Sequence, residues 1–383
     1  MKRLFLLTFV FFGCSVLTPL QRSKLISVFH LIETARYAEA KGLVEDLIED
    51  EEFAQWPRTW YARGLLSQTA YREGMEKNDR KKYELYPEQL YVAFDSYEKA
   101  IALDPDGRLE SQLAPKYILL ANDFQKLGEK HFNGKDYQKA MTAFEHALAI
   151  TQRSVLAIQT DTNLVYNAGL AAYESQEWDQ AAKHLGRLHD DGYSSNATHL
   201  LMKAHLAKGD TLAAERALAE GIGRYEDNED LVLLMADLLV KMNESGRALK
   251  VLDEATASDP ANPVFHNTKG LIYQKTGAYN DAILAYFEAN AHAPEDILTQ
   301  VNIATCYYNV GVEIEENARN ITNNRLVQIE KSKSEAAFES AIFWLDKAYE
   351  KEPADRDVRE KIYHLYRMLR VTDKANRLES LIR

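Results

Sequence analysis

The chain has 383 residues, of which 46% are hydrophobic and 27% are charged, with only nine Pro and 17 Gly. This composition is typical of a folded protein and excludes a disordered or collagen-like chain. Acidic residues outnumber basic ones by 58 to 46, a net charge of −12, which disfavours sequence-independent binding to nucleic acid. Cys14 and Cys306 are the two cysteines and neither lies in a CxxC, so a disulfide framework is excluded.

The amino terminus has the pattern of a targeting segment. Residues 1–3 are Met-Lys-Arg, and an apolar run of ten residues follows before Cys14. A short basic start with an apolar run of that length is typical of a secretory signal, and a spanning helix needs about twenty residues. Because Cys14 follows Gly13 directly, the segment resembles a bacterial lipoprotein signal, in which that Cys becomes lipidated. An uncleaved anchor reaching Leu20, or cleavage near Ser15, is the alternative.

Small and large residues recur at a period of 34 through the second half of the chain. The columns are Ala214, Ala248 and Ala282; Leu218, Leu252 and Tyr286; and Pro260 and Pro294. Such a period predicts stacked helix hairpins. Small residues let the two helices of a hairpin approach, large residues fill the gap to the next hairpin, and Pro ends the second helix.

These columns resemble the tetratricopeptide repeat. Three copies carry the resemblance: Phe124, Leu127, Gly128, His131, Ala140, Phe144 and Ala147; Ala168, Gly169, Ala172, Ala181, Leu185 and Leu188; and His266, Gly270, Tyr273, Ala282, Tyr286, Ala289 and Pro294. The resemblance implies an all-α fold, a right-handed superhelical solenoid of antiparallel helix hairpins over residues 57–383. Residues 1–20 are then the signal or anchor, and 21–56 form a helical pair before the array.

Two units contain extra residues between their first and second helices. The intervals are 12 residues from Gly270 to Ala282, 29 from Gly64 to Ala93, and 37 from Ala304 to Ala341. We expect insertions at about 71–90 and 316–340, each made of helix extensions joined by a turn, near Asn78 and near residues 320–324. Long structured excursions are more often functional than neutral, so we expect a partner contact at 316–340.

No catalytic, cofactor or metal site is predicted. The sequence has no Gly-rich phosphate loop, nucleophile elbow or paired-carboxylate signature. His131 and His205 occupy the Tyr column of the repeat and are expected to be packing residues, as Cys306 is expected to be a buried small residue. Residues 104–107, Asp-Pro-Asp-Gly, are better explained as a turn after a helix than as a calcium loop. The chain is therefore not expected to be an enzyme.

In this family, first-helix positions outside the packing columns line a concave groove. The expected partner-binding residues are Tyr166, Asn167, Tyr173, Lys203, Asn267, Gln274, Asn302 and Tyr308. Exposed Asn and Tyr side chains on a rigid scaffold can hydrogen-bond and stack on a peptide. The alternative for each position is packing on a neighbouring hairpin. The basic clamp of chaperone-binding members is not expected, because Gln125 and Glu129 stand at two of its positions.

The sequence thus predicts a non-enzymatic scaffold of the cell envelope, in the periplasm or outer membrane, that binds a partner protein or peptide. It looks like the exported tetratricopeptide proteins of Bacteroidetes type. The alternatives are a subunit of an envelope secretion or outer-membrane assembly machine, and a hydrolase or carbohydrate-binding protein on a helical scaffold. We expect no cofactor, no nucleic acid and no membrane contact except through the N-terminal anchor. The sequence leaves the oligomeric state open.

Overall fold

The computed structural model describes residues 19–382 except 158, 160, 226, 227, 352, 353 and 355. Cys14 and the apolar run before it lie outside the described residues. Within them every regular element is a helix, which confirms the all-α prediction. The chain divides into two compact units, Met1–Tyr193 and Ser194–Arg383, a division that the sequence period does not predict.

The described helices of the first unit are α1 (Pro19–Glu33), α2 (Tyr37–Glu49), α3 (Pro57–Lys77), α4 (Arg80–Tyr83), α5 (Gln89–Ala102), α6 (Leu109–Asn133), α7 (Tyr137–Thr151), α8 (Thr162–Glu174) and α9 (Trp178–Asp190). The described helices of the second unit are α10 (Ser195–Ala207), α11 (Thr211–Arg224), α12 (Glu229–Lys241), α13 (Ser245–Ser258), α14 (Pro263–Lys275), α15 (Tyr279–His292), α16 (Ile297–Ala318), α17 (Asn324–Glu350), α18 (Arg356–Met368) and α19 (Thr372–Ile382).

Within each unit, consecutive helices pack as hairpins, such as α6 with α7 and α14 with α15. The turns of these two hairpins contain a residue with positive φ, Lys135 at 60° and Gly277 at 80°, as helix ends commonly do. In the first of them the next residue, Asp136, caps α7 by accepting a hydrogen bond from the Lys139 amide. A sharp turn followed by a new helix start returns the chain against the helix that it has just left.

The alanine columns that the period predicts are buried. Ala214, Ala248, Ala282, Ala341 and Ala375 all have 0% exposure. Each lies in the second helix of its hairpin, where it faces the packed interior. The small side chains therefore mark the close contacts, as the sequence predicts.

The first insertion is only partly the pair of helix extensions expected from the sequence. Helix α3 does extend to Lys77 and ends at Asn78, whose φ is 51°. The expected extension of the second helix is wrong. Pro87 has no amide hydrogen and Glu88 has a φ of 50°, so α5 begins only at Gln89. Residues 78–88, here called the strap, contain the short helix α4 instead.

The strap folds back onto the preceding hairpin. Lys82 Nζ lies 2.7 Å from Glu73 Oε1 on α3. Lys41 Nζ of α2 donates a 2.7 Å hydrogen bond to the Leu85 carbonyl, and Tyr86 Oη donates one of 2.7 Å to Glu45 on the same helix. Polar contacts therefore fasten the insertion to α2 and α3.

The second insertion consists of extended helices on both sides of a turn. Helix α16 runs to Ala318, and Asn323 caps α17 by accepting from the amides of Arg325 and Leu326. A Cβ added to Gly311 would lie 2.5 Å from the ring of Phe338. Gly311 is seven residues after Ala304 and Phe338 is seven before Leu345. The contact between Gly311 and Phe338 therefore continues the packing of α16 against α17 for two helical turns beyond Ala304 and Leu345.

Candidate functional site

A recess of about 840 Å³ lies in the first unit beside the strap, and is here called the aromatic recess. Helices α3, α5, α6 and α7 and the strap contribute to it. Its lining residues are Tyr71, Met75, Tyr83, Glu84, Tyr86, Pro87, Glu88, Gln89, Leu90, Tyr91, Asp95, Leu127, Lys130, His131, Lys139, Thr142 and His146. A concave surface with many aromatic side chains and a few polar groups is the usual form of a binding site.

Ring contacts hold one wall of this recess. The Tyr91 ring lies 4.9 Å from the His146 ring and 5.0 Å from the Phe124 ring. His146 Nδ1 lies 2.8 Å from the Thr142 carbonyl, so this nitrogen donates the proton. Burial, with Glu88 nearby, raises the pKa of Tyr91 to about 12, which keeps its hydroxyl protonated at neutral pH. The wall therefore presents fixed rings and neutral hydrogen-bonding groups.

Charges of opposite sign line the aromatic recess and come from different elements of the fold. The acidic residues Glu84, Glu88 and Asp95 belong to the strap and α5. The basic residues are Lys130 of α6 and Lys139 of α7. This arrangement favours a bound segment that carries both acidic and basic residues, and it favours one orientation of that segment.

A second recess of about 520 Å³, here called the Asp123 cavity, shares Tyr71 and Met75 with the first. Its other lining residues are Arg72, Glu76, Asp123 and Lys126. The two recesses therefore meet along one face of α3. A ligand that extends past Tyr71 and Met75 can contact both.

Asp123 is 7% exposed, although it carries a carboxyl group. No described residue donates a hydrogen bond to its Oδ2 atom. The Arg72 Nε atom lies 3.5 Å from that oxygen, and the Arg72 side chain is 44% exposed. Burial raises the pKa of Asp123 to about 6, opposed by Arg72, Lys126 and Gln68. A buried carboxyl group with a perturbed pKa in a cavity is a feature of functional sites.

The predicted groove residues of the first unit lie near a third recess. Asn167 lines a recess of about 280 Å³ between α6 and α8, together with Phe132 and Leu170. The ring of Tyr166 lies 5.7 Å from that of Tyr193. Tyr173 packs on Trp178 at 5.5 Å, so these two tyrosines have intramolecular ring partners.

In the second unit, several predicted groove residues have intramolecular hydrogen bonds. Asn267 donates to Asp296 at 3.3 Å and accepts from Thr299 at 2.7 Å. Gln274 accepts a 2.8 Å hydrogen bond from the Tyr286 hydroxyl. These contacts link α14 to α16 and to α15. For both residues the packing alternative has direct support, and their role in partner binding stays a prediction.

The remaining predicted groove residues of this unit differ from one another in burial and in contacts. The ring of Tyr308 packs against that of Phe338 at 5.7 Å. Lys203 is exposed on α10, and Asn302 is half-buried on α16. The eight residues thus fall in both units, and the structure does not bring them together as one described site.

The other chemical candidates have structural explanations. Burial raises the pKa of the Cys306 thiol to about 12, which makes it a poor nucleophile. Burial also lowers the pKa values of His131 and His205. Asp104 Oδ2 accepts a 2.7 Å hydrogen bond from the Leu109 amide, as the turn interpretation predicts. In residues 19–382, outside the gaps, no cluster of His, Cys, Asp or Glu could hold a metal ion, and no helix could span a membrane.

Sequence reasoning missed the aromatic recess and Asp123. The inserted stretch 71–90 is visibly rich in Tyr and charge, which is a usable signal. The 34-residue period gives no information on which residues the inserted stretch contacts, because the strap is not part of the repeat. For Asp123 the only signal is a carboxylate between the apolar residues Ala121 and Phe124, and such a position is easily read as solvent-facing.

Comparison with known families identifies the repeat. Residues 205–272 match the tetratricopeptide repeat family. That stretch of the chain is similar to tetratricopeptide repeats. Proteins of this family generally mediate protein–protein interactions and are generally non-enzymatic.

Two curated proteins are similar over part of their length. The TPR repeat-containing protein YpiA of Bacillus subtilis is 25% identical over 57% of this chain and 49% of its own length. The Hsp70-Hsp90 organizing protein 2 of Arabidopsis thaliana is 23% identical over 49% of this chain and 32% of its own. The chain therefore spans half or less of these relatives.

Among solved structures, a TPR repeats protein from Bacteroides fragilis is similar to this chain. It has 19% sequence identity and a TM-score of 0.36, over 65% of this chain and 98% of that protein.

Proposed function

We propose that this protein is a non-enzymatic interaction scaffold of the cell envelope, which binds an extended segment of a partner protein in the aromatic recess. The observation that carries the proposal is a recess of about 840 Å³ that is lined by tyrosine side chains and by both acidic and basic residues. Tetratricopeptide hairpins supply the rigid support, because each helix packs against its neighbours. Tyrosine rings give a bound peptide both apolar contact and hydrogen bonds.

The envelope location rests on the amino-terminal pattern alone. A basic start, an apolar run and Gly13-Cys14 are the features of an exported lipoprotein signal. Lipidation at Cys14 would hold the two units at a membrane surface. The recess would then be available to partners on that side.

Site-specific photocrosslinking in the native host tests the recess. A benzophenone amino acid replaces Tyr83, which lines the recess, and a control carries it at Phe343, which is 58% exposed in the other unit. We expect a discrete crosslinked partner from position 83 that is lost when Lys139→Glu inverts one basic charge of the recess. The same product from position 343, or none from position 83, contradicts the proposal.

A second contact is proposed at the extension of α16 and α17, next to Asn302 and Tyr308. The exposed apolar residues Leu326 and Ile329, at 50% and 43% exposure, support it. They are three residues apart on α17 and so lie on one face of the helix. An exposed apolar stripe on a charged extension is a common form of a protein contact.

A further inference from the structure

We propose that the Asp123 cavity binds a lysine side chain of the peptide held in the aromatic recess, with the Asp123 carboxylate as the partner of the lysine ammonium. The proposal rests on the proposed function, because the lysine belongs to the same bound segment. It assigns a chemical class of ligand to a cavity that the family resemblance leaves unassigned.

One oxygen of the buried Asp123 carboxylate lacks a hydrogen-bond donor in the part of the chain that the structure describes. The Asp123 side chain is 9% exposed, and its Oδ2 receives no hydrogen bond from the described residues. A buried carboxylate oxygen without a donor is unfavourable, because it has lost its hydrogen bonds to water and gained none from the protein. A ligand that brings a charged donor therefore gains free energy from satisfying this atom.

The cavity has the size and the lining to hold a lysine side chain. It has about 520 Å³ of space next to that carboxylate. Tyr71 and Met75 line it and also line the aromatic recess, so an extended peptide bound there can turn one side chain past them. The methylene chain of lysine would pack on the ring and the thioether, while its ammonium reaches Asp123.

The Asp123 cavity suits a lysine side chain better than an arginine side chain. Asp123 offers one free oxygen, which suits the compact point charge of an ammonium. A guanidinium instead prefers two parallel acceptors. The Arg72 guanidinium already approaches Oδ2 to 3.5 Å, but from a side chain that is 44% exposed. Because this ion pair is long and its arginine is partly exposed, the pair is weak, and a ligand ammonium can displace Arg72 from Asp123.

The surrounding charges favour this pairing only while Asp123 is ionised. Tyr71, Arg72 and Glu76 of α3 and Lys126 of α6 surround the carboxyl group. Because burial raises the pKa of Asp123 to about 6, the ammonium site is complete above that pH. Lysine binding should therefore weaken as the pH falls through 6.

The test uses random dodecapeptides selected on the full chain. Three immobilised proteins are compared: wild type, Asp123→Asn, and Asp46→Asn, which removes an exposed carboxylate of α2 that lines neither recess. We expect lysine to be enriched at least fivefold at one position in the wild-type and Asp46→Asn pools but not in the Asp123→Asn pool. Equal lysine enrichment in all three pools overturns the proposal, because it would reflect only the net negative charge.

The strongest wild-type peptide then gives a quantitative cycle by fluorescence anisotropy. Replacing its lysine by norleucine should weaken binding at least tenfold to wild type and less than twofold to Asp123→Asn. Arg72→Gln, which removes the competing cation, should tighten binding severalfold. An arginine peptide that binds as tightly as the lysine peptide overturns the assignment to lysine.

Two outcomes separate this proposal from the proposed function. If selected peptides respond to Lys139→Glu but not to Asp123→Asn, the aromatic recess binds peptide and the lysine proposal is wrong. If wild type selects no binders at all, both proposals are wrong. Circular-dichroism melts of each variant confirm that a lost interaction is not a lost fold.

Discussion

Gly270 lies directly against the ring of Tyr286, so that a Cβ atom added to it would be 2.5 Å from ring carbon Cε1. The same relationship joins Gly64 to Tyr97, also at 2.5 Å, and Gly128 to Phe144 at 2.6 Å. In each of these three hairpins, an aromatic ring of the second helix packs against a glycine of the first helix. The contact fixes the helix spacing, because no side chain separates the ring from the backbone.

We therefore predict that Gly270→Leu destabilises the second unit by about 2 kcal/mol or more through overpacking. Gly270→Ala should also destabilise it, although alanine is favoured over glycine in a free helix by about 1 kcal/mol. Urea denaturation monitored by circular dichroism measures both changes. The matched control is Gly42→Ala in α2, where an added Cβ meets no atom within 4 Å, and we expect that change to be stabilising. Coincident curves for wild type and Gly270→Leu would contradict the predicted packing.

The strap should contribute to stability through Glu73. Its carboxylate accepts hydrogen bonds from Tyr37, Lys77 and Lys82, and these lower its pKa to about 2. A lowered carboxyl pKa stabilises the folded state above the usual value of 4.5, and the gain is lost as the pH falls towards 2. We predict that Glu73→Gln lowers the unfolding free energy by about 1 kcal/mol at pH 7.

The control for Glu73 is Glu84→Gln in the strap. Glu84 pairs with Arg80 at 2.6 Å, and both side chains are at least half exposed. Its removal should change the unfolding free energy by less than about 0.5 kcal/mol. Equal effects of the two substitutions in thermal melts at pH 7 would argue against a stabilising role for the Glu73 contacts.

Asp123 should show the opposite pH dependence. Its pKa is raised from 3.8 to about 6, so the folded state binds a proton more tightly than the unfolded state does. This contribution stabilises the protein at low pH and is lost as the pH rises from about 4 to 6. We predict that Asp123→Asn flattens that part of the stability profile and raises the unfolding free energy by about 1 kcal/mol at pH 7.5. A loss of stability at pH 7.5 would show that the Arg72 pair outweighs burial.

Two deletions separate the structural role of the second insertion from its proposed contact. Replacing residues 313–336 by a short turn keeps Gly311 against Phe338, whereas cutting out 316–340 removes Phe338. We expect the first variant to melt close to wild type and the second to lose about 2 kcal/mol, because the half-buried Phe338 ring that packs on Gly311 and Tyr308 is removed. Partner capture should weaken in the first variant if the extension is a contact. Capture at wild-type strength would leave the aromatic recess as the binding surface.

Lipidation at Cys14 is tested by Cys14→Ser in the native host. The serine cannot form the thioether that carries the lipid, so we expect the protein to move from the detergent phase into the soluble fraction. Mass spectrometry of the mature protein identifies the first residue. A variant that stays in the detergent phase at full mass would indicate an uncleaved anchor.

The hairpins could be predicted from sequence because their packing depends on few, repeated contacts. Ala282 and Tyr286 define a column by size alone, and size recurs at each repeat. The strap could not be predicted in the same way, because Lys41 meets Leu85, and Tyr86 meets Glu45, through single hydrogen bonds between segments far apart in sequence. The partner-binding role of the groove residues is still harder to predict, because residue type does not show whether a side chain is already used within the protein. Asn267 has the residue type of a peptide-binding position, yet its amide is used between α14 and α16.

The strap also changes how the first unit should open. In an array where each hairpin touches only its neighbours, the terminal hairpin is free to fray by itself. Here Lys41 and Glu45 of α2 bind residues that follow α3 in the chain, so α2 cannot leave unless the strap also releases it. The two hairpins then open as one cooperative block, and their amide protons should exchange at a common, slow rate.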